Sequence, residues 1–275
     1  MREVKIGSLG IGGGAPLALI AGPCVLESLE LCQEIAEGVA RAAAQVGMKW
    51  IFKGSFDKAN RTSISSYRGP GLEEGLKMLA KIKQGFGVPV ETDVHETSQV
   101  AAVAQVADII QVPAFLCRQT DLLVAAAKSG RAVLVKKGQF MAPEDMQQAQ
   151  QKVFEAGNEN LLLCERGSCF GYHRLVVDMR SLQIMRGFGC PVVLDVTHSV
   201  QLPAGAGASS AGEPEFIPAL ARAGAAVGID ALFVEVHPRP EEAKSDSATS
   251  WPLAELADLL RQVKEIDECR RRAMK

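Results

Sequence analysis

The chain of 275 residues lacks an excess of charge of either sign, because 30 Lys and Arg face 32 Asp and Glu and leave a formal charge of −2. General nucleic-acid binders depend on concentrated positive charge, so that class is excluded and any basic site must be local. Hydrophobic residues make up 47% and charged residues 23% of the chain. This globular composition excludes disordered, collagen-like and coiled-coil proteins.

The sequence also lacks an apolar run long enough to span a bilayer. Its longest charge-free stretch, residues 6–26, contains six glycines and two prolines, and the apolar part covers only residues 15–21. A signal peptide would join this part to the charged residues 1–5, but the glycine-rich residues 10–14 separate the two. We therefore expect neither a membrane segment nor a signal peptide.

The cysteines lack the even, closely spaced pattern of a small disulfide-stabilised secreted protein. There are seven, and they are scattered over positions 24, 32, 117, 164, 169, 190 and 269. A reducing compartment suits such thiols better than an oxidising one. We therefore expect a cytoplasmic protein.

Instead of a linker or a change of composition, the sequence shows eight apolar segments of strand length that alternate with eight segments of helical periodicity. The predicted strands are residues 17–21, 49–53, 88–92, 109–112, 132–136, 161–165, 191–195 and 231–235. The predicted helices are residues 29–46, 72–82, 98–106, 122–128, 143–156, 178–185, 217–226 and 252–266. Near-continuous apolar strands, each followed by a helix, indicate an α/β fold, the (β/α)8 TIM barrel. An open doubly wound sheet stays an alternative.

We predict one TIM-barrel domain over residues 1–275, with the barrel at 17–275. Residues 1–16 precede it, and a strand at 4–7 followed by the turn-rich 8–16 suggests a short β-hairpin that covers one barrel end. The glycine-rich residues 10–14 are similar in composition to a dinucleotide-binding fingerprint. That fingerprint must open a helix, however, whereas Pro16 and a strand follow here.

Polar residues follow all eight predicted strands, at the end where barrel enzymes place their active sites. Five of them are cations: Lys53, Lys58, Arg61, Lys136 and Arg166. Such a concentration in a slightly acidic chain predicts a ligand with more than one anionic group, because one phosphate carries about −1.5 to −2. The alternative is that Lys53 and Lys136 pair with Glu91 or Asp93.

A second group of strand-end residues could bind a metal ion. It consists of Cys24, His198, Glu235 and Asp246, which follow or end the first, seventh and eighth strands, neighbours in a closed barrel. A mixed set of sulfur, nitrogen and oxygen donors suits Zn²⁺, Fe²⁺ or Mn²⁺ and fits Ca²⁺ or Mg²⁺ poorly. The alternative is structural: a small buried cysteine and a hydrogen-bonded core histidine.

Two long segments rich in small or polar residues follow the seventh and eighth strands, at 201–213 and 239–250. Long loops without regular structure in a compact domain are commonly lids. We predict that these two close over the site and exclude water.

Several separate motifs together resemble the 3-deoxy-D-manno-octulosonate 8-phosphate synthase family. In chain order they are AGPC at 21–24, FK at 52–53, DKANR at 57–61, YRGPG at 67–71, ERG at 165–167, FGY at 170–172, DVTHS at 195–199 and SD at 245–246. The resemblance spans nearly the whole chain. It implies a TIM-barrel transferase, generally a homotetramer, that condenses phosphoenolpyruvate with D-arabinose 5-phosphate and water for lipopolysaccharide biosynthesis and releases phosphate.

The same resemblance implies roles for individual residues. The phosphoenolpyruvate ligands would be Lys53, Lys58, Lys136 and Arg166. The pentose-phosphate ligands would be Asn60 and Arg61, with Thr62 beside them. The residues between the two substrates would be Asp93, Gln111 and Phe115.

Within this family, members with cysteine after the Gly-Pro pair resemble a metal-dependent branch, and members with asparagine do without metal. Cys24 therefore implies a divalent metal ion held by Cys24, His198, Glu235 and Asp246, and no organic cofactor. Catalytic roles would fall on Cys24, His198 and Asp246.

The chain departs from the family pattern at Thr62, where serine is usual, at Ala204, and at His173 and Arg174, where an asparagine pair is usual. These changes bear on specificity and lid movement. The related alternative is 3-deoxy-D-arabino-heptulosonate 7-phosphate synthase, whose segment tends to read KPRTS where residues 58–63 read KANRTS. A non-catalytic sugar-phosphate-binding barrel, and a Schiff-base aldolase acting through Lys136, are further alternatives.

Overall fold

The computed structural model describes residues 1–61, 63–171, 173–206 and 209–274. The strands in this part are β1 (Glu3–Ile6), β2 (Leu9–Gly12), β3 (Ala18–Gly22), β4 (Trp50–Lys53), β5 (Val90–Asp93), β6 (Ile109–Val112), β7 (Ala132–Lys136), β8 (Leu161–Glu165), β9 (Ser168–Cys169), β10 (Leu175–Val176), β11 (Val192–Asp195), β12 (Gln201–Ala206), β13 (Ser209–Gly212), β14 (Ala231–His237) and β15 (Trp251–Pro252). The α-helices are α1 (Leu29–Val46), α2 (Leu72–Phe86), α3 (Thr97–Val103), α4 (Thr120–Lys128), α5 (Met146–Glu155), α6 (Met179–Gly187), α7 (Ile217–Val227) and α8 (Leu256–Ala273).

Eight parallel strands close into a barrel in the order β3-β4-β5-β6-β7-β8-β11-β14, with β14 paired back to β3. The helices surround this barrel, so the predicted (β/α)8 fold is confirmed and the open sheet is wrong. Among the helices of the described residues, none is long and apolar enough to cross a membrane.

Alternation along each strand separates the outer apolar layer from the barrel interior. On β7, Val133 and Val135 belong to the cluster under the helices, whereas Ala132 and Leu134 belong to a second cluster inside the barrel. The interior therefore continues upward along the same face to Lys136 at the strand end. Because all eight strands run in parallel, their last inward residues meet at one end, which we name the barrel mouth.

The predicted N-terminal hairpin is present, and it closes the opposite end of the barrel. Strands β1 and β2 pair antiparallel, although β2 lies inside the segment predicted to be turn. Their buried side chains, Val4, Ile6, Leu9 and Ile11, join the interior cluster of the barrel. The alternation of buried and exposed residues in β1 explains this packing, since one face of a strand can cover the barrel floor.

The segment predicted as an unstructured lid at 201–213 contains a second hairpin, because β12 and β13 pair antiparallel. The prediction of a loop without regular structure is therefore wrong for this segment. Its glycine, alanine and serine residues have low strand propensity, so the pairing depends on backbone hydrogen bonds rather than on a hydrophobic pattern.

Candidate active site and metal centre

Three of the predicted metal donors lie together at the barrel mouth. Cys24 follows β3, Glu235 lies near the end of β14, and Asp246 lies in the loop beyond β14. One donor atom from each, the cysteine Sγ and a carboxylate oxygen of both acids, all fall within 4.8 Å of one another. The Cys24 thiol donates to Asp246 Oδ2 over 3.3 Å.

His198 faces the same cluster from the end of β11. Its Nε2 lies 3.7 Å from Glu235 Oε2 and 3.6 Å from Asp246 Oδ2. The other ring nitrogen, Nδ1, lies 2.6 Å from Asp195 Oδ2. A carboxylate behind one ring nitrogen fixes the orientation of an imidazole and leaves the other nitrogen free for a ligand.

The Asp246 side chain is presented by an unusual backbone conformation. Asp246 has a φ of +47°, a left-handed conformation in which Asp is among the better-tolerated residues. The backbone N–H groups of Thr249 and Ser250 both donate to its carbonyl oxygen, at 3.0 and 2.9 Å. The turn that directs Asp246 towards Cys24 is therefore closed by the hydrogen bonds of its own loop.

The charges around the cluster favour ionised carboxylates and a protonated thiol. Burial alone raises the pKa of Glu235, but His198, Lys53 and nearby cations outweigh it and hold the pKa well below its usual range. Burial, followed by the charges of Asp246 and Glu235, raises the pKa of the Cys24 thiol. A divalent cation would reverse the second effect, because thiolate ligands need compensating positive charge.

The residues present fit such a cation. Glu235 Oε2 is buried and has no hydrogen-bond partner among the described residues, although His198 Nε2 lies 3.7 Å away. Unpaired buried carboxylate oxygens are costly unless something binds them. The combination of thiol, imidazole and two carboxylates is the donor set that suits Zn²⁺, Fe²⁺ or Mn²⁺.

Two of the predicted anion-binding lysines are buried at the mouth and paired with acids. Lys53 Nζ donates to Glu235 Oε1 at 2.8 Å and to the Cys24 carbonyl at 3.2 Å. Lys136 Nζ donates to Asp195 and lies 3.6 Å from the ring centroid of Phe233. The partners differ from the Glu91 and Asp93 considered above. Lys53 on β4 reaches past β3 to β14, and Lys136 on β7 reaches past β8 to β11.

Lys58 and Arg61 lie on the segment after β4, above the metal donors. Burial lowers the pKa of Lys58, but electrostatic interaction with the acidic groups of Cys24, Glu235 and Asp93 outweighs it and raises the pKa. The Arg61 guanidinium donates to Ser245 Oγ at 2.8 Å and to the Lys244 carbonyl at 3.1 Å. Asn60, next to Arg61, is exposed, while Thr62 lies outside the described residues.

Several more buried polar atoms at the mouth lack hydrogen-bond partners within the described part of the chain. They are Ser55 Oγ, Asp93 Oδ1, Gln111 Oε1 and Arg166 Nη1. Arg166 does use its other terminal nitrogen, which donates to Gln201 Oε1 at 2.8 Å. Such a group of unpaired donors and acceptors is suited to a polar, anionic ligand.

The remaining predicted residues lie further out. Phe115, in the short helical turn after β6, has 56% of its surface exposed. Of the residues that depart from the family pattern, Arg174 donates to Glu213 at 2.9 Å and so ties the segment before β10 to the end of the β12–β13 hairpin. The side chain of Ala204 lies outside the described residues.

Sequence reasoning missed two residues that organise the site. Asp195 contacts both Lys136 and His198, and the spacing of three residues from Asp195 to His198 after a strand was a usable signal. Ser245 contacts Cys24 and Arg61, which are distant in sequence, so only the fold reveals it. The sequence interpretation treated both only as parts of motifs.

The fold and the mouth together define a class, the (β/α)8-barrel enzymes that bind anionic substrates at the carboxyl ends of their strands. Comparison with known proteins identifies the family within it. The DAHP synthetase I family matches residues 3–272, and the chain belongs to this family.

Among its relatives, a protein of Fusobacterium nucleatum is 57% identical over 268 residues, which cover 98% of this chain and 96% of the relative. A protein of Synechococcus sp. is 57% identical over 267 residues, which cover 97% of this chain and 94% of that relative. A third, from Desulfotalea psychrophila, is 57% identical over 256 residues, which cover 93% of this chain and 91% of that relative. All three are named 2-dehydro-3-deoxyphosphooctonate aldolase, another name for the synthase family whose motifs the sequence resembles, so that resemblance is confirmed.

Proposed function

We propose that this chain condenses phosphoenolpyruvate with D-arabinose 5-phosphate and water to give 3-deoxy-D-manno-octulosonate 8-phosphate and inorganic phosphate. The observation that carries the proposal is the gathering of cations, unpaired polar atoms and metal donors at one barrel mouth. Two phosphorylated substrates bring several negative charges into this space. The relatives named 2-dehydro-3-deoxyphosphooctonate aldolase, matched over almost their whole length, support the same activity.

In this proposal Lys53, Lys58, Lys136 and Arg166 bind phosphoenolpyruvate. Lys53 and Lys136 are already paired with Glu235 and Asp195, which holds both lysine side chains in the mouth before the substrate arrives. Arg166 retains an unpaired Nη1 within the described residues, which supports its use by a carboxylate or phosphate oxygen.

Asn60 and Arg61, with Thr62, bind the pentose phosphate, and Asp93, Gln111 and Phe115 lie between the two substrates. The role of these residues is to hold C3 of phosphoenolpyruvate against the aldehyde carbon, which makes a bimolecular encounter effectively unimolecular. Asp93 and Gln111 are buried and each has a polar atom without a partner in the described chain, which supports contact with substrate hydroxyl groups.

The bonds change in a balanced order. C3 of phosphoenolpyruvate bonds to the aldehyde carbon, whose oxygen takes a proton, and water adds at C2 with loss of a proton. The resulting tetrahedral bisphosphate collapses by cleavage of its C2–O bond, so that phosphate leaves with the bridging oxygen and C2 becomes a ketone.

The divalent ion would be held by Cys24, His198, Glu235 and Asp246, with Zn²⁺, Fe²⁺ and Mn²⁺ as candidates. When bound it supplies Lewis acidity, either orienting water or polarising the aldehyde oxygen. Around it, the described side chains exclude solvent: Glu235 is 1% exposed and Cys24 is 4% exposed. We assign no organic cofactor to the reaction.

The same proposal extends to the assembly, the compartment and the pathway of the protein. We propose that the chain acts as a single domain in a cytoplasmic homotetramer and supplies lipopolysaccharide biosynthesis. Large exposed aromatic side chains that follow three consecutive barrel strands, Phe115, Phe140 and Phe170, support an assembly that covers part of this face. Light scattering of the purified protein would give the assembly size, with a monomer contradicting this part.

The test of the activity is phosphate release from phosphoenolpyruvate with two different aldoses. We expect turnover with D-arabinose 5-phosphate and little with D-erythrose 4-phosphate, and we expect loss of activity with a strong chelator and recovery with Mn²⁺ or Zn²⁺. Preference for erythrose 4-phosphate would favour the heptulosonate synthase instead. Absence of phosphate release with either aldose would favour the non-catalytic barrel, and borohydride trapping through Lys136 would favour the Schiff-base aldolase.

Isotope labelling tests the order of bond changes. In water enriched in oxygen-18, the label should enter the C2 carbonyl of the product and be absent from the released phosphate. Label in the phosphate would show cleavage of the P–O bond and would refute attack of water at C2.

A further inference from the structure

Ser245 lies between two parts of the site that the sequence keeps far apart. It precedes Asp246 in the loop beyond β14, and only 3% of its surface is exposed. Its Oγ lies 3.1 Å from Cys24 Sγ and accepts a hydrogen bond of 2.8 Å from Arg61 Nη1. One buried hydroxyl therefore touches both a metal donor and a pentose-phosphate ligand of the proposed site.

We propose that Ser245 is a positioning residue that couples the Arg61 guanidinium to the sulfur of Cys24. The proposal rests on the function proposed above for the role of Arg61, and it adds a physical link between the sugar-phosphate and metal sites. The link runs through a single side chain, because the second bond of Arg61 goes to the Lys244 backbone carbonyl.

The hydroxyl group suits this position because it can donate one hydrogen bond and accept others at the same time. When Cys24 is a thiol, Ser245 Oγ and Asp246 Oδ2 both lie within reach of its single S–H, at 3.1 and 3.3 Å from the sulfur. When Cys24 is a thiolate with a bound metal ion, the sulfur can only accept, and the Ser245 hydroxyl turns to donate to it. In both states Oγ still accepts from Arg61, so the guanidinium stays in place.

The chain of bonds gives the coupling a direction. A cationic donor bound to Oγ makes the hydroxyl proton a stronger donor, since hydrogen bonds in series polarise one another. A phosphate group that accepts hydrogen bonds from Arg61 makes the guanidinium a weaker donor to Ser245 Oγ. The Ser245 hydroxyl then donates less strongly to Cys24, and the sulfur keeps more electron density. Binding of the sugar phosphate should therefore be visible at the metal, before any reaction takes place.

The experiment uses the whole protein loaded with Co²⁺, whose charge-transfer absorption from thiolate reports directly on the Cys24 sulfur. We expect Ser245→Ala to shift this band, to weaken Co²⁺ binding by about tenfold, as loss of a hydrogen bond behind a metal ligand does, and to weaken arabinose 5-phosphate binding. In the wild type, arabinose 5-phosphate alone should shift the band, and Ser245→Ala should abolish that response.

Ser250→Ala is the matched control, because it removes a buried hydroxyl from the same loop that donates to the Asp246 carbonyl and forms no hydrogen bond with Cys24 or Arg61 among the described residues. It should keep the response of the band to the sugar phosphate. If Ser245→Ala does not fold, Arg61→Met provides the second measurement, since loss of the guanidinium should also shift the band of the substrate-free protein.

An unchanged band in Ser245→Ala or in folded Arg61→Met would overturn the coupling, as would a sugar-phosphate response that survives in Ser245→Ala. These results are independent of turnover. Failure of the wild type to release phosphate would overturn the proposed function, whereas a normal wild-type reaction with an unaltered band would overturn only the role of Ser245.

Discussion

The two ends of the barrel are built from opposite kinds of side chain on the same strands. On β7, Leu134 lies in the apolar interior with the N-terminal hairpin, and two residues further on Lys136 lies at the mouth, paired with Asp195. The closed end buries hydrocarbon, which stabilises the fold. The mouth buries charges and leaves polar atoms unpaired in the described chain, which costs stability and is typical of a site shaped for ligands.

Stability and function are therefore separated along the barrel axis rather than around it. The hairpin side chains contact the floor and none of the predicted ligands is among them. At the mouth, Lys53, Lys136 and Glu235 are each at most 4% exposed, and Lys53 pairs with Glu235 while Lys136 pairs with Asp195. Substitutions at the two ends should therefore be distinguishable by which property they change.

The largest effect is expected from Lys136→Met, which keeps most of the length of the side chain and removes its charge. We expect kcat/KM to fall by about 100- to 1000-fold, as is usual when one preorganised hydrogen-bond donor is removed from an active site. Steady-state kinetics would measure this, and urea unfolding would show whether the fold is retained. Unchanged kinetics would place Lys136 outside the site and break the contrast.

Leu134→Ala is the matched change at the closed end of the same strand. Leu134 is completely buried, so its truncation should lower the free energy of unfolding by about 2–5 kcal/mol through lost burial and a new cavity. Activity should persist at temperatures where the protein is folded. Urea denaturation and kinetics at low temperature would check both parts, and loss of activity from the folded variant would contradict the separation of the two ends.

Asp195→Asn tests the support behind the predicted metal donor His198. The variant keeps the shape of the side chain but weakens its contacts with His198 Nδ1 and with Lys136. Metal affinity should fall by about 10- to 100-fold, as for other residues that orient a ligand. Competition with a chromophoric chelator would measure it, and equal affinity would show that Asp195 does not orient His198.

Glu91 gives the mouth a contribution to stability that depends on pH. Burial, only partly offset by Lys136 and Lys53, raises the pKa of this interior carboxyl to about 8. In the unfolded chain the Glu91 carboxyl loses its proton near its ordinary pKa of 4.5. Its contribution to the free energy of unfolding is therefore fully present below that pH. It falls by about 1.4 kcal/mol per pH unit until the folded pKa is passed.

Glu91→Gln should remove this slope, so that the variant gains stability relative to the wild type as the pH rises from about 5 to 8. Urea unfolding at several pH values would measure the difference. Glu74→Gln, at an exposed position of α2, is the control and should leave the slope intact. A parallel pH profile for wild type and Glu91→Gln would show that Glu91 ionises normally in the folded protein.

The sequence predicts most of the fold because its local and tertiary preferences agree. The helix predicted at 29–46 has those bounds, since the Ser28 hydroxyl accepts a hydrogen bond from the Leu31 backbone N–H and Gly47 ends the helix in a left-handed conformation. The strands at 132–136 and 161–165 also match their predicted bounds. The β12–β13 hairpin escaped prediction because its composition resembles a loop.

The candidate site is predictable to a smaller extent. All the parallel strands of a barrel end on the same side. This rule alone predicts that Cys24 lies near His198 and that Lys53 lies near Lys136. The partners of these groups depend on which side chains reach across the interior, and strand order alone does not specify that. Ser245 is the clearest case, because 184 residues of chain separate it from Arg61.

Anomalous diffraction from crystals grown with Zn²⁺ would show whether donors from three barrel strands and a loop bind one divalent ion. We expect one peak near the zinc edge, about 2.3 Å from Cys24 Sγ and about 2.0–2.2 Å from the nitrogen and oxygen ligands. Those ligands are His198, Glu235 and Asp246. A mouth without an anomalous peak, or a peak bound elsewhere, would contradict this expectation.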